Sequence, residues 1–474
     1  MTMHVTTDFP AAAKKALADP SLQAALARMR TGFVSARATA VARLPEFEDL
    51  RDWAQAIRDH VLQNLDAYLE RFEANVIAAG GQVHWCRDAA EARQTVLGIL
   101  QQTGAKTFAK GKSMVGEEIE LNAYLEANGV RPIETDLGEY IIQLRRETPS
   151  HIIAPATHVS KEQVADAFRA AHGHLDGARP LETPGELLSE ARDILRKEFL
   201  AADAGMTGAN FLIAETGTSV IVTNEGNGDL SQTVPKTHIV LAGIEKVVPT
   251  LDDASVLLRV LARSATGQEI STYTTFSTGP KRADDMDGPA HYHVVLLDNG
   301  RSALLGGQFH DMLRCIRCGA CLNHCPVYGA VGGHAYGSVY PGPMGSVLSP
   351  AFAGIDAAKH LPHASTLCGA CEAACPVRIP LPKMLRAWRD ISFERGLVTQ
   401  RSRWGLAAWL FAARCPALYR LGASLAAKIL QKPGPLLRLM PGLPGWLATR
   451  DFPPAQGTTF MAQWRARKSE AAKK

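Results

Sequence analysis

Apolar positions along the chain change their spacing from one region to the next. Leu50, Trp53, Ile57, Val61, Leu65, Tyr68, Phe72 and Val76 recur at steps of three and four, which predicts one helix with a single apolar stripe. Gly80 and Gly81 then end it in the manner of a C-terminal cap. Residues 1–80 thus read as a helical region packed on the next domain. From 81 to 300 short apolar runs alternate with helical stretches: QVHW at 82–85, a helix over 88–100, KTFA at 106–109, a helix over 117–127 and RPIET at 131–135. HIIAP at 151–155, SVIVT at 219–223 and THIVLAG at 237–243 extend the series. This rhythm predicts an α/β domain with a largely parallel sheet, because parallel neighbours need a crossover, usually a helix.

Residues 301–400 break the rhythm. Seven of the nine cysteines lie between 315 and 375, on either side of a Gly and Pro-rich connector at 336–348. They define a small second domain built around its ligands. Residues 401–474 form a basic, Trp-rich tail that ends in a polar stretch expected to be disordered. Trp404, Trp409, Trp446 and Trp464 fall there; Leu418, Leu421, Leu425 and Ile429 can share one helix face, with Arg420, Ser424 and Lys428 on another. Such a segment suits an anionic membrane surface, the cluster domain or a partner subunit, and packing is the favoured reading.

Charge sharpens this division. The tail holds 13 Lys and Arg against Asp451 and Glu470, a net of +11, while residues 1–400 carry 38 basic and 45 acidic residues, a net of −7. A positive field over the whole molecule, as for a nucleic-acid protein, is excluded. The first 20 residues lack the order of a secretory signal, and the best apolar run of the tail, 404–413, stops at Arg414. A cytoplasmic protein is expected, peripheral at most to the inner membrane face, with its cysteines kept as thiolates for metal.

Cys315, Cys318, Cys321 and Cys325, with Pro326 behind them, fit C-x2-C-x2-C-x3-C-P. This is the bacterial ferredoxin run, in which three thiolates grip one cubane and the fourth reaches a second. Zinc sites use paired two-residue knuckles around one tetrahedral ion and match poorly; a disulfide framework matches less well still. Cys368, Cys371 and Cys375 with Pro376 repeat the run, except that its first position falls on Ser365. Crossed ligation gives cluster one Cys315, Cys318, Cys321 and Cys375. Cluster two receives Cys325, Cys368 and Cys371, so it is either a three-iron form or a cubane completed by Ser365, Cys415 or a partner. Arg314, Arg317, His324 and Arg378 flank the sulfurs, either as solvated charges or as groups that raise the potential of a cluster. Cys86 stands alone and reads as a buried apolar residue.

The α/β segment at 208–243, the first cysteine run with its Gly-rich sequel, and LCGACEAACPVRIPLP at 367–382 together resemble the lactate utilization protein B family over about residues 60–450. The resemblance implies an α/β domain similar to ribose-phosphate isomerase and CoA-transferase folds, followed by a helical ferredoxin-type domain with two 4Fe-4S clusters held by the seven cysteines above. It also implies an electron-transfer subunit of a system oxidising L-lactate to pyruvate, with a second cysteine-rich subunit and a small subunit sharing the α/β domain. The alternative from another class is a non-catalytic electron carrier or adaptor of some other oxidoreductase. A bound flavin and the substrate residues stay open.

Other groups carry weaker signals. The turns at 215–219 and 224–229 fall at strand ends, where open α/β sheets bind ligands. They offer Glu215 and Glu225 as acid-base candidates beside Asn224 and Asp229, although turn and cap roles are commoner for these types. Lys110, Lys112 and Ser113 precede a helix start that suits either an anion or an ordinary N-cap by Ser113.

Overall fold

Four helices open the chain: α1 (Phe9–Leu17), α2 (Pro20–Ala42), α3 (Phe47–Gln63) and α4 (Leu65–Ala78). The structure, a computed structural model, describes Val5, residues 8–431 and residues 455–472; Trp446 and the tail's Pro and Gly breaks lie outside the described residues. The single helix expected over 50–76 is two, because the backbone breaks at Asn64 (φ −131°, ψ 36°). The buried face of α3 also differs from the apolar stripe. Trp53 is 58 % exposed, while Arg51 and Arg58 turn inward beside Leu50, Ala54 and Val61. Arg58 has left water to donate to three main-chain carbonyls: Nη1 to Val247 at 2.9 Å, and Nη2 to Leu313 at 3.0 Å and to Glu245.

Ten strands follow: β1 (Gln82–Cys86), β2 (Thr107–Gly111), β3 (Arg131–Glu134), β4 (Ala204–Thr207), β5 (Phe211–Ile213), β6 (Thr218–Thr223), β7 (Thr237–Gly243), β8 (Val247–Val248), β9 (Tyr273–Ser277) and β10 (His291–Leu297). Six form a parallel sheet in the order β1-β10-β7-β4-β2-β3. Its central strand β7 is buried at every residue, as expected of a parallel strand covered on both faces. Leu97, Leu100, Leu121 and Leu125 pack on one face against Ile239 and Leu241, and Leu69, Phe72 and Val76 of α4 pack on the other against Val240 and Val294.

The second sheet, β8-β5-β6-β9, was not foreseen. It takes SVIVT out of the parallel set: β6 pairs antiparallel with both β5 and β9. Gly217, in the turn between β5 and β6, has φ +67°, and a Cβ there would meet the Val76 backbone at 2.5 Å. The turn's glycine therefore serves close packing on α4. HIIAP is not a strand. Its flanking Ser150 binds the Pro155 carbonyl through its N–H at 3.1 Å and its hydroxyl at 3.0 Å, so the segment closes on itself. The helix expected over 117–127 is likewise split, into Met114–Glu118 and Leu121–Ala127, at a left-handed Glu120 (φ +52°).

The cysteine region is a set of short helices, with the connector helix Gly342–Ala353 almost wholly buried. It belongs with the α/β region to one compact unit, Met1–Ser392. A second unit, Phe393–Lys474, contains helices Gln400–Arg414, Pro416–Ile429 and Phe460–Ala471, in none of which a residue is buried. The polar end expected to be disordered is thus helical, since its Ala, Arg, Lys and Gln favour helix and Thr459 caps the Ala462 N–H. No helix of the described residues is long and apolar enough to cross a membrane.

Replacing Arg58 with Met would strand buried carbonyls on two separate segments. We expect a loss of roughly 3–5 kcal/mol in denaturant unfolding, against less than about 0.5 kcal/mol for Trp53→Ala on the exposed side of α3.

Candidate metal centre and the cavities beside it

Both cysteine motifs are built on one backbone figure. Arg317 (φ +60°) and Gly319 (φ +74°) take the left-handed conformation on either side of Cys318, and Leu367 (φ +56°) and Gly369 (φ +84°) do so around Cys368. Left-handed Arg and Leu are uncommon, so the recurrence marks a shared constraint. Such turns direct successive N–H groups into a concavity suited to an anionic centre. A short helix follows each, Ala320–Asn323 and Ala370–Ala374, and carries Cys321 or Cys371. Beyond it, Tyr328 N–H donates to Cys325 Sγ at 3.5 Å and Ile379 N–H to Cys375 Sγ at 3.4 Å.

The sulfurs influence one another in two groups. Burial pushes the Cys321 thiol well up, and Cys315, Cys318 and Cys375 add to the shift, with Cys371 behind them. Cys318 is raised by burial and then by Cys375 and Cys315; burial holds Cys375 at about 11, with Cys315 adding to it. In the other group burial and Cys368 raise Cys325, and burial, Cys325 and Cys368 hold Cys371 at about 12. Cys368 is exposed, and the Ala370 N–H, then the Thr366 side chain, pull its thiol down. Among the described residues no three His, Cys, Asp or Glu are gathered as around a single metal ion.

Ser365, at the position of the missing cysteine, is engaged locally: its hydroxyl accepts the Leu367 N–H at 3.1 Å and its carbonyl accepts from Arg389 at 2.7 Å. Cys415 lies in the second unit, at the start of helix Pro416–Ile429. Cys86 is buried and its thiol raised by burial, as an apolar residue would be.

The flanking cations are paired rather than solvated. Arg314 binds Asp59 and, at 2.9 Å, Asp311; Arg378 binds Asp52 and, at 3.0 Å, Glu48. His324 Nδ1 lies 2.9 Å from the Ala320 carbonyl. Arg317 lies over the Tyr340 ring at 4.7 Å. Sequence reasoning missed cations from the N-terminal helices: Arg51 donates to the Cys375 carbonyl from Nη2 at 2.7 Å and Nε at 3.1 Å, and Arg37 to the Ala374 carbonyl at 3.3 Å. The apolar stripe gave no sign of them. Positions 47, 50, 51, 54, 58 and 61 form one helical face that includes both Arg51 and Arg58.

Two cavities lie at the carboxyl ends of the parallel strands. The larger, about 920 Å³, is lined by carboxylates including Glu117, Glu118, Glu134 and Glu139. Behind it the fully buried Lys110 binds Glu117 and, at 2.5 Å, Glu134. Lys112 pairs with Asp136 at 3.0 Å, and Ser113 accepts the Gly116 N–H at 3.1 Å, so the ordinary cap reading of this stretch holds. Burial, then Glu134 and Asp136, push Glu139 well above the usual carboxylate range. The smaller cavity, about 160 Å³, runs between the ends of β2, β4 and β7 and reaches Cys318. Beside the cavities Arg301 grips Glu118 at 2.7 and 2.9 Å and Glu245 at 2.7 Å. Burial alone would raise Glu245, but Arg301 and Arg317 outweigh it and hold the group at about 2. Glu215 and Glu225 line neither cavity; they accept the Leu251 and Leu137 N–H groups at 3.4 and 3.2 Å. Asn224 lies at the rim of the smaller cavity, and Asp229 accepts from Thr275.

A family model described as the LUD domain matches residues 69–297, and one described as a 4Fe-4S dicluster domain matches residues 311–379. Lactate utilization protein B of Lysinibacillus sphaericus is 44% identical over 458 residues, 94% of each chain. The uncharacterized electron transport protein YkgF of Escherichia coli K12 is 40% identical over 470 residues, 98% of each. The crystal structure of a duf162 family protein from Deinococcus radiodurans aligns with 49% of this chain and 98% of its own at 14% identity, with a TM-score of 0.28, too slight a likeness to support an argument.

The raised Glu139 gives a signed pH effect. Above about pH 4.3 the unfolded chain gives up this proton while the folded chain keeps it, so Glu139 costs stability that grows as pH rises toward its folded value. Glu139→Gln should therefore raise the melting temperature at pH 7 to 8 and leave it unchanged below about pH 4, measured by calorimetry across that range.

Proposed function

The chain belongs to the lactate utilization protein B family, and on that footing we propose how it works. Its role in lactate utilization is iron-sulfur electron transfer. Cys315, Cys318, Cys321 and Cys375 would hold the first 4Fe-4S cluster; Cys325, Cys368 and Cys371 would hold the second, either as a three-iron form or as a cubane completed by a partner subunit. When bound, each cluster supplies one-electron transfer. The observation that carries this reading is the backbone figure repeated around Cys318 and Cys368, in a segment that matches a 4Fe-4S dicluster domain.

The chain's own residues tune and orient this relay. Arg37 and Arg51 set positive charge at the Ala374 and Cys375 carbonyls, which favours the reduced, more negative state of the first cluster. Cys368 is exposed and marks the second cluster as the side that exchanges electrons with outside partners. The substrate reaction is the oxidation of L-lactate to pyruvate, shared with a second cysteine-rich subunit and a small LUD-type subunit, with electrons passing on to a membrane acceptor. The tail docks those subunits: Trp404, Trp409, Leu421 and Leu425 are exposed on its helices, on a segment of net charge +11.

Anaerobically purified protein should be brown, with broad absorption near roughly 400 nm and about seven to eight irons per chain. L-lactate should bleach it in the reconstituted complex and not alone; lactate-insensitive clusters in the full complex would overturn the reading. Deleting residues 401–474 should abolish co-purification with the partner subunits at unchanged iron content. Loss of liposome binding instead would give the tail to the membrane.

A further inference from the structure

The smaller cavity has features that cysteine ligation does not need. Its floor is made by residues just past three adjacent parallel strands: Lys112 after β2, Asn210 after β4 and Lys246 after β7. This is the edge at which open α/β sheets bind ligands. Arg317 and Cys318 close the opposite side. Lys246 is only 6 % exposed; no hydrogen bond or salt bridge of its ammonium is found among the described residues, and the opposite charge acting most strongly on it is Glu245. Arg317 Nη1 is buried without a hydrogen-bond partner, and its Nη2 stands 3.6 Å from Glu245. Asn210 Oδ1 accepts the Val222 N–H at 3.0 Å, which leaves its Nδ2 as a donor. Glu139 is the only carboxylate among the lining residues, and Lys112 is already paired with Asp136. Ile153, Leu241 and Leu261 supply an apolar wall.

We propose that this cavity binds a small monocarboxylate of the 2-hydroxy or 2-oxo acid class, its carboxylate on Lys246 and Arg317 and its alkyl group on the apolar wall. The inference deepens the lactate reading and rests on it for the choice among small anions. Size supports it. At about 160 Å³ the space suits a molecule of about six non-hydrogen atoms and lies below the roughly 300–1,000 Å³ of sites for larger ligands such as a flavin. The assignment concerns binding alone. Oxidising a 2-hydroxy acid removes two electrons and two protons, and the first cluster accepts one electron, so the remaining acceptor and base belong to the partner subunits.

A positively charged wall beside a cluster also serves as its counter-charge, and the test separates the two roles. Pyruvate, L-lactate and neutral lactamide are titrated into anaerobic holoprotein by calorimetry, with paramagnetic resonance of the dithionite-reduced clusters recorded in parallel. Saturable binding of both carboxylates, a perturbed signal from one cluster and no binding of lactamide are expected. Lys246→Met and the cavity-filling Ala262→Leu should each weaken pyruvate binding on the order of tenfold to a hundredfold, at parental iron content. Two results would overturn the proposal: no carboxylate binding by protein with full clusters, or a Lys246→Met variant with shifted cluster potential and unchanged affinity. Absence of clusters would instead overturn the electron-transfer reading.

Discussion

Two buried guanidiniums on one helix hold the iron-binding region in register. Arg51 and Arg58 lie seven residues apart on α3, about two turns, and so on the same face. Arg58 clasps the carbonyls of Glu245, Val247 and Leu313, just ahead of Cys315, and Arg51 clasps those of Ala373 and Cys375. Sequence-distant segments thereby hang from a single rigid rod. Burying a cation costs several kcal/mol, and neutral carbonyls offset only part of that. Glu48 neutralises Arg51 in part at 2.8 Å, whereas Arg58 is held by carbonyls and keeps its charge within electrostatic reach of Cys315.

A second buried network joins the two architectures. Arg301 grips Glu118 and Glu245, Tyr340 donates to Glu118 at 2.7 Å, and Arg317 approaches Glu245. These residues come from the strand ends, the connector and the first cysteine motif. Sequence composition divides the chain near 300, yet the contacts make residues 1–392 one unit. The charges explain why: buried ion pairs that span the division would be left uncompensated by any separation.

Cysteine spacing was legible because a cubane demands particular intervals of chain, and the parallel sheet because strands such as THIVLAG are buried on both faces and read as apolar runs. The break at Asn64 was not legible, since the apolar stripe continues across it. HIIAP was misread for a related reason: its apolar residues pack as a closed loop, and periodicity over five residues cannot tell a loop from a strand. The inward arginines were hidden because hydrophobic patterning counts every Arg as surface, whereas three carbonyl acceptors make a buried one tolerable. The smaller cavity was not legible at all, as its walls come from β2, β4, β7 and the Cys318 loop, and only tertiary folding brings them together.

The exchange of one cysteine between the motifs has a consequence for maturation. Under the crossed ligation proposed above, Cys375 would serve the first cluster from 54 residues beyond Cys321, so that cluster would be completed only once the second motif has been synthesised and docked, and iron loading and closure of the core would be one event. The second cluster differs. In that proposal its Cys368 stays at the surface, so iron would be installed there last, lost there first under oxidation, and replaced without unfolding the chain.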